Sequence, residues 1–292
     1  MLKNILSLWL LALAIQASAQ TVTNIAYLRT LVDPVNYVPT NTTDLFTVEG
    51  VVTTHTNITT PANAQFYIQD NTAGITVFVS GSSTIRPSAG DLVRVIGPLG
   101  HFNGLLELNL LATNASHSVT TVSTNNPLPA ATLLQFSWQN DPAIIELQEG
   151  KYVVASNVFL DASTPTFPSG QTLLITNGTG ETFTVFIDAR TDIVGQTKPV
   201  SAVSIFGVLG QRDTSDPRTT GYQLIPTRYA DFVGGAKPPV VRFTNVLENL
   251  VRPGDLPVNS FAENVLRPGE KLALQVVITG AAGPSRRPLE RI

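Results

Sequence analysis

From Leu45 onward apolar and polar residues change places at every second position in short runs: LFTVEGVVTT, FYIQD, GITVFV, DLVRVIGPL and GLLELNLL. Alternation of period two over runs this short predicts strands, and five of them before residue 112 suit a small closed barrel. In FYIQDNTAGITVFV, residues 66–79, two such strands flank a turn. Phe66, Ile68, Ile75, Val77 and Val79 fall on one face, and Tyr67, Gln69, Thr76 and Phe78 on the other. The aliphatic face is expected to fill the barrel, so Tyr67 and Phe78 should point outward together. Ahead of the barrel the period changes. In TNIAYLRTL, residues 23–31, Ile25, Leu28 and Leu31 recur at helical intervals behind Thr23 and Asn24, which suit an N-cap. A short helix is expected there, ended by the Pro- and Thr-rich stretch DPVNYVPTNTTD.

The pattern then repeats. VRVIGPLG at 93–100 aligns with VSIFGVLG at 203–210, which keeps Gly97 over Gly207 and Gly100 over Gly210. VFV at 77–79 lies over VFI at 185–187, each behind a turn. Elements recurring in the same order indicate duplication. Between the copies, NNPLPAATLLQFSWQNDPAIIELQEG carries prolines and then a helical patch, so the second copy also follows a helix and should run from about Lys151 to Phe232. Beyond it, GGAKPPVVRF reads as a linker, and the residues after it as a few strands of an incomplete β-sandwich. The final GAAGPSRRPLERI abandons strand patterning and turns basic.

The fold class expected is therefore all-β: two tandem OB-fold-like five-stranded barrels, each preceded by a short helix, plus a C-terminal partial β-sandwich. The domain boundaries expected are a signal peptide at 1–19, a first OB-like domain with its helix at 20–125, a linker, helix and second OB-like domain at 126–234, and a Pro/Gly linker with an incomplete immunoglobulin-like segment at 235–292. The leader rests on Lys3, an apolar run from Ile5 to Ile15 and the small residues Ala17-Ser18-Ala19, with cleavage after Ala19. That run is too short to span a bilayer, and no later one is long enough, so no membrane span is expected after its removal. The expected location is secreted, periplasmic or extracellular.

Composition narrows the chemistry. The formal net charge of -3 becomes one unit more negative without Lys3, which argues against generic coating of polyanions. Without Cys there is no disulfide, thiol nucleophile or Cys-based metal site. His55, His101 and His117 are spaced for no shared metal, and Asp70, Asp91, Asp188, Asp192, Asp213 and Asp216 lack the repeated spacing of a calcium loop. These aspartates read as turn caps. No acid, base, nucleophile, metal or cofactor constellation assembles, so the expectation is no enzyme, no catalytic residue and no cofactor.

FYIQDNTAGITVFV, AGDLVRVIGPL and FNGLLEL in the first copy, with EGKYVVASNVFL, DARTDIVGQ, VSIFGVLGQRD and GYQLIPTRYADF in the second, resemble tandem OB-fold modules of secreted bacterial envelope or extracellular proteins. The Pro-flanked strands after them resemble part of an immunoglobulin-like neighbour. The resemblance implies a non-catalytic accessory module, grouped by shape with nucleic-acid-binding OB-folds and belonging to a longer parent protein with further domains. OB-folds bind oligonucleotides or oligosaccharides around the second and third strands, where aromatic rings stack on bases or sugars. The candidate ligand-binding residues are accordingly Tyr67, Phe78, Arg94 and Gln69, with single-stranded nucleic acid or polysaccharide as the expected partner. In the second copy Leu174 stands in place of Tyr67, while Phe186 keeps the place of Phe78. Two readings stay open: a secreted non-catalytic binding module, and a structural or adhesive spacer or extracellular sensor region with no small ligand.

Overall fold

A computed structural model describes residues 21–82, 84–161 and 163–235 and, beyond them, the backbone of three strands. The leader at 1–19 lies outside the described residues.

The first copy contains β1 (Leu45–Val52), β2 (Ala64–Gln69), β3 (Gly74–Ser80), β4 (Leu92–Phe102) and β5 (Leu105–Leu111). Their spatial order is β1-β2-β3-β5-β4, and β4 returns to pair with β1, which closes the barrel. β3 and β5 run parallel, and the other neighbours antiparallel. This is the five-stranded Greek-key arrangement of an OB-fold. The long β4 makes closure possible, because its first half pairs with β1 and its last four residues pair with β5. Alternation decides the interior: Phe66, Ile68, Ile75, Val77 and Val79 meet Val48, Val95, Leu99 and Leu108 in one core. Each fully buried aliphatic side chain there stabilises the fold by roughly 1.5–3 kcal/mol.

The predicted helix forms as α1 (Ile25–Arg29), with Asn24 Oδ1 accepting from the Tyr27 N–H at 2.8 Å. Ile25 and Leu28 enter the barrel core. Asp70 holds this helix to the β2–β3 turn, its carboxylate accepting from the N–H groups of Ile25, Thr72 and Ala73. One strand has no counterpart among the five runs read from the sequence. β6 (Ser118–Ser123) adds to β4 outside the barrel, and its Ser/Thr-rich sequence carries no apolar alternation because Val119 alone of its residues packs on the core.

The second copy opens with β7 (Thr132–Leu133), a 3-10 turn over Phe136–Asn140 and α2 (Pro142–Ile145), capped by the Asp141 carboxylate. β8 (Tyr152–Leu160), β9 (Gln171–Thr176), β10 (Thr182–Ile187), β11 (Val203–Gln211) and β12 (Tyr222–Ile225) follow, and β13 (Phe232–Val233) ends it. The order β8-β9-β10-β12-β11, with β11 closing on β8 and β10 parallel to β12, repeats the first barrel. Registers coincide as well: Leu108 faces Val77 and Leu99, and Leu224 faces Val185 and Leu209. The added strand recurs too, β13 on β11 as β6 on β4.

β14 (Val240–Thr244), β15 (Gln275–Thr279) and β16 (Ser285–Pro288) form a separate three-stranded antiparallel sheet. β16 corrects the reading of the basic tail as free of strand. Pairing with β15 uses backbone groups that Arg286 and Arg287 leave intact, and Pro288 stands at the strand end, where its missing N–H is tolerated. Among the described residues no helix is long and apolar enough to cross a membrane.

Candidate inter-barrel binding cleft

Register confirms that Tyr67 and Phe78 point out of the first barrel, but the outer face of β2 is covered. Tyr67 is 0 % exposed and packs with Ile58 and Leu105 of its own barrel against Val208 and Ile225 of the second. A ring enclosed in this way cannot serve as the exposed stacking platform expected of it. Gln69 is also occupied, its Oε1 accepting from the Tyr152 N–H at 2.7 Å. Arg94 is exposed on β4 and paired with Glu49 across β1, its Nε donating to Oε1 at 2.8 Å. Phe78 is half-buried beside Asn109 on β5. The four residues therefore do not form one strip, and of them only Tyr67 lines the space between the barrels.

What covers β2 is an interface built from backbone and buried charge. Gly74 at the β2–β3 turn touches Gly150 so closely that a Cβ on Gly74 would lie 2.2 Å from the Gly150 carbonyl oxygen. Arg29, at the end of α1, donates to the carbonyl oxygens of Gly74 at 2.8 Å, Glu146 at 2.8 Å and Glu149. It also pairs with the Glu149 carboxylate at 3.4 Å, both side chains being almost wholly buried. The same carboxylate accepts from the Leu106 N–H on β5 at 3.2 Å, so Glu149 links the second barrel to the first. On another side, Thr227 accepts from the His55 N–H through its hydroxyl and from the Thr56 hydroxyl through its carbonyl.

Burial, seconded by the nearby Glu146 charge, pushes the Glu149 carboxyl up to about 8 against the pull of Arg29. Burial alone pushes Glu107, on the outer face of β5, up to about 7. Each folded-state value lies above the ordinary 4.5, so the unfolded chain releases these protons first. Their contribution to stability is complete below about pH 4.5 and drains as pH rises towards 8, by on the order of a few kcal/mol. Urea unfolding across that window should show the decline, and Glu149→Gln, which cannot ionise, should make it shallower, leaving the share due to Glu107. An unchanged slope in that variant would place the titration elsewhere.

Beside this interface a cleft of about 270 Å³ opens. The first barrel supplies Ile58 and Thr59 from the β1–β2 loop, Gln65 and Tyr67 from β2, and Phe102, Asn103 and Leu105 from the β4–β5 hairpin. These are the β2 face and the two loops on which OB-folds hold ligands. The second barrel closes the other side with Phe186, Asp188, Arg190, Gln211, Arg212, Gln223 and Ile225. The hairpin turns on Asn103 and Gly104, with φ of 50° and 92°, the positive pair that a type I′ turn requires. The Asp213 N–H donates to the Asn103 carbonyl at 2.6 Å and anchors the tip on the second barrel. Phe102, next to that tip, is 62 % exposed.

Charge at the cleft is modest. Asp188 pairs with Arg190 at 3.0 Å, whereas Arg212 is exposed and has no ion pair among the described residues. Asp213 acts as a turn cap: burial works against its charge, but hydrogen bonds from Ser215 and Thr220 hold its carboxyl well below the usual carboxylate range. Burial, aided by Arg218, pushes His101 down.

Phe102, Gln65, Arg212 and Gln223 were absent from the sequence-derived candidates. The Asn-Gly pair in FNGL was a usable signal, since it marks a tight hairpin and places Phe102 beside its tip. Nothing comparable marks Gln65 or Gln223, whose role depends on a neighbour far away in sequence.

No family model matches the sequence, and no curated protein does. Among solved structures, the Ifi202 HINa domain in complex with 20bp dsDNA is similar over 63% of this chain and 92% of its own, at 13% identity and a TM-score of 0.32. The p204 HINb domain is similar over 61% and 90%, at 16% identity and a TM-score of 0.30. An aspartyl tRNA synthetase from Entamoeba histolytica matches 44% of this chain at 15% identity and a TM-score of 0.29, and the chain spans only 26% of its length. Superpositions this loose carry nothing about ligand. The OB architecture of this chain rests instead on its own strand order, parallel pairing and closure.

Proposed function

We propose that this chain is an exported, non-catalytic OB-type binding module that holds single-stranded nucleic acid across the inter-barrel cleft. The observation that carries the reading is the meeting, in one cleft, of the β2 face and both ligand loops of the first barrel with the unpaired Arg212 of the second. Phe102 offers a ring for stacking, and Arg212 a cation for a phosphate. The small cationic surplus suits a short contact with a flexible strand better than the long electrostatic track that coats a duplex.

Fluorescence anisotropy with a labelled oligonucleotide tests this. Affinity should fall between ~50 and ~200 mM salt. Phe102→Ala should cost about 1–3 kcal/mol as a lost stacking contact, and Arg212→Ala should lower the salt slope by about one. Binding confined to a glycan panel would overturn the nucleic-acid reading. A second reading, a rigid spacer, is favoured by the complete burial of Tyr67 at the barrel contact, and it would stand if neither ligand class bound.

A further inference from the structure

Resting on the nucleic-acid reading, we infer that the cleft takes one unstacked base and reads its edge with the side-chain amides of Gln65 and Gln223. Both glutamines are half-buried and line the cleft from opposite barrels, and neither side-chain amide has a hydrogen-bond partner among the described residues. A primary amide presents a donor and an acceptor in one plane, the complement of a base edge, where neighbouring positions offer an acceptor and a donor. The half-buried Phe186, packed on the enclosed Tyr67 and Ile225, supplies an apolar part of the same lining.

A third amide at the cleft is held by the protein itself. The Gln211 Nε2 donates to the carbonyl oxygens of Arg218 at 3.1 Å and Thr220 at 3.0 Å, and its buried Oε1 lies against Gly104, which leaves Gln65 and Gln223 as the glutamines with unpaired side-chain amides in this lining. At about 270 Å³ the cleft has room for a single ring system and its substituents. Arg212 at the rim would meet the adjoining phosphate, and Phe102 outside would carry the next base along the strand.

The test compares an ordinary oligonucleotide with an abasic chain of equal length, using the whole mature protein. Removing the bases should weaken binding about tenfold or more. A Gln65→Ala and Gln223→Ala double variant, with its folding checked by thermal melting, should discriminate between the two chains clearly less than the parent, keeping only the share that stacking on Phe102 supplies, and should lose nothing on the abasic chain. Equal binding of both chains by the parent protein, or undiminished discrimination by the double variant, would overturn the inference while leaving nucleic-acid binding intact. If neither chain bound, the nucleic-acid reading itself would fall, and this inference with it.

Discussion

Arg29→Ala is expected to lower stability by about 3–5 kcal/mol, the cost of breaking a buried charge pair from one side. The guanidinium reaches the carbonyl of Gly74 in the first barrel and those of Glu146 and Glu149 ahead of the second. Its loss strands three backbone acceptors and the Glu149 carboxylate together. With its carboxyl pushed up to about 8, Glu149 is mostly protonated at neutral pH, so the penalty there should fall at or below the lower end of that range and grow as pH rises past 8. Two probes separate local damage from loss of coupling. Trp138, which packs on the second core, reports that barrel by fluorescence, while far-ultraviolet dichroism reports both. The two urea transitions should coincide in the parent and part in the variant. Arg29→Lys should rescue little, because one ammonium on a flexible stem lacks the fork that spans these acceptors. A loss below about 1 kcal/mol, the scale of an exposed ion pair, would show that the staple contributes no more than a surface pair does.

Gly74→Ala should have an effect of similar size by a different route. The added Cβ would lie 2.2 Å from the Gly150 oxygen and 2.3 Å from its carbonyl carbon, and backbone cannot rotate aside as a side chain can. Overpacking of this kind costs about 3 kcal/mol or more unless the barrels separate. Separation would also pull Arg29 from the Glu146 and Glu149 carbonyls, so the two substitutions act on one interface. Their combined effect should fall clearly short of the sum, and a double-mutant cycle from urea midpoints would measure the difference. Simple additivity would show the two contacts to be independent.

The barrels were legible in the sequence because closing a small cylinder forces aliphatic side chains inward at every second position. Val48, Ile68, Val77 and Val95 are where that rule puts them. Duplication was legible because the second copy obeys the same rule in the same order. β6 was not, since a Ser/Thr-rich strand outside the core leaves no periodic trace. The contact between the barrels was not legible for a deeper reason. Alternation says that Tyr67 leaves its own barrel but not what meets it there, and Arg29 lies 120 residues from Glu149 with no local pattern linking them. The candidate site inherited that blindness: Tyr67 belongs to the cleft, whereas Gln69 is taken up by Tyr152 and Arg94 by Glu49.

Main chain resting directly on main chain at Gly74 and Gly150 leaves no cushion of side-chain rotamers through which one barrel could rock against the other. In solution the two should therefore tumble as a single body, and nuclear relaxation of amides in either half should fit one shared diffusion tensor.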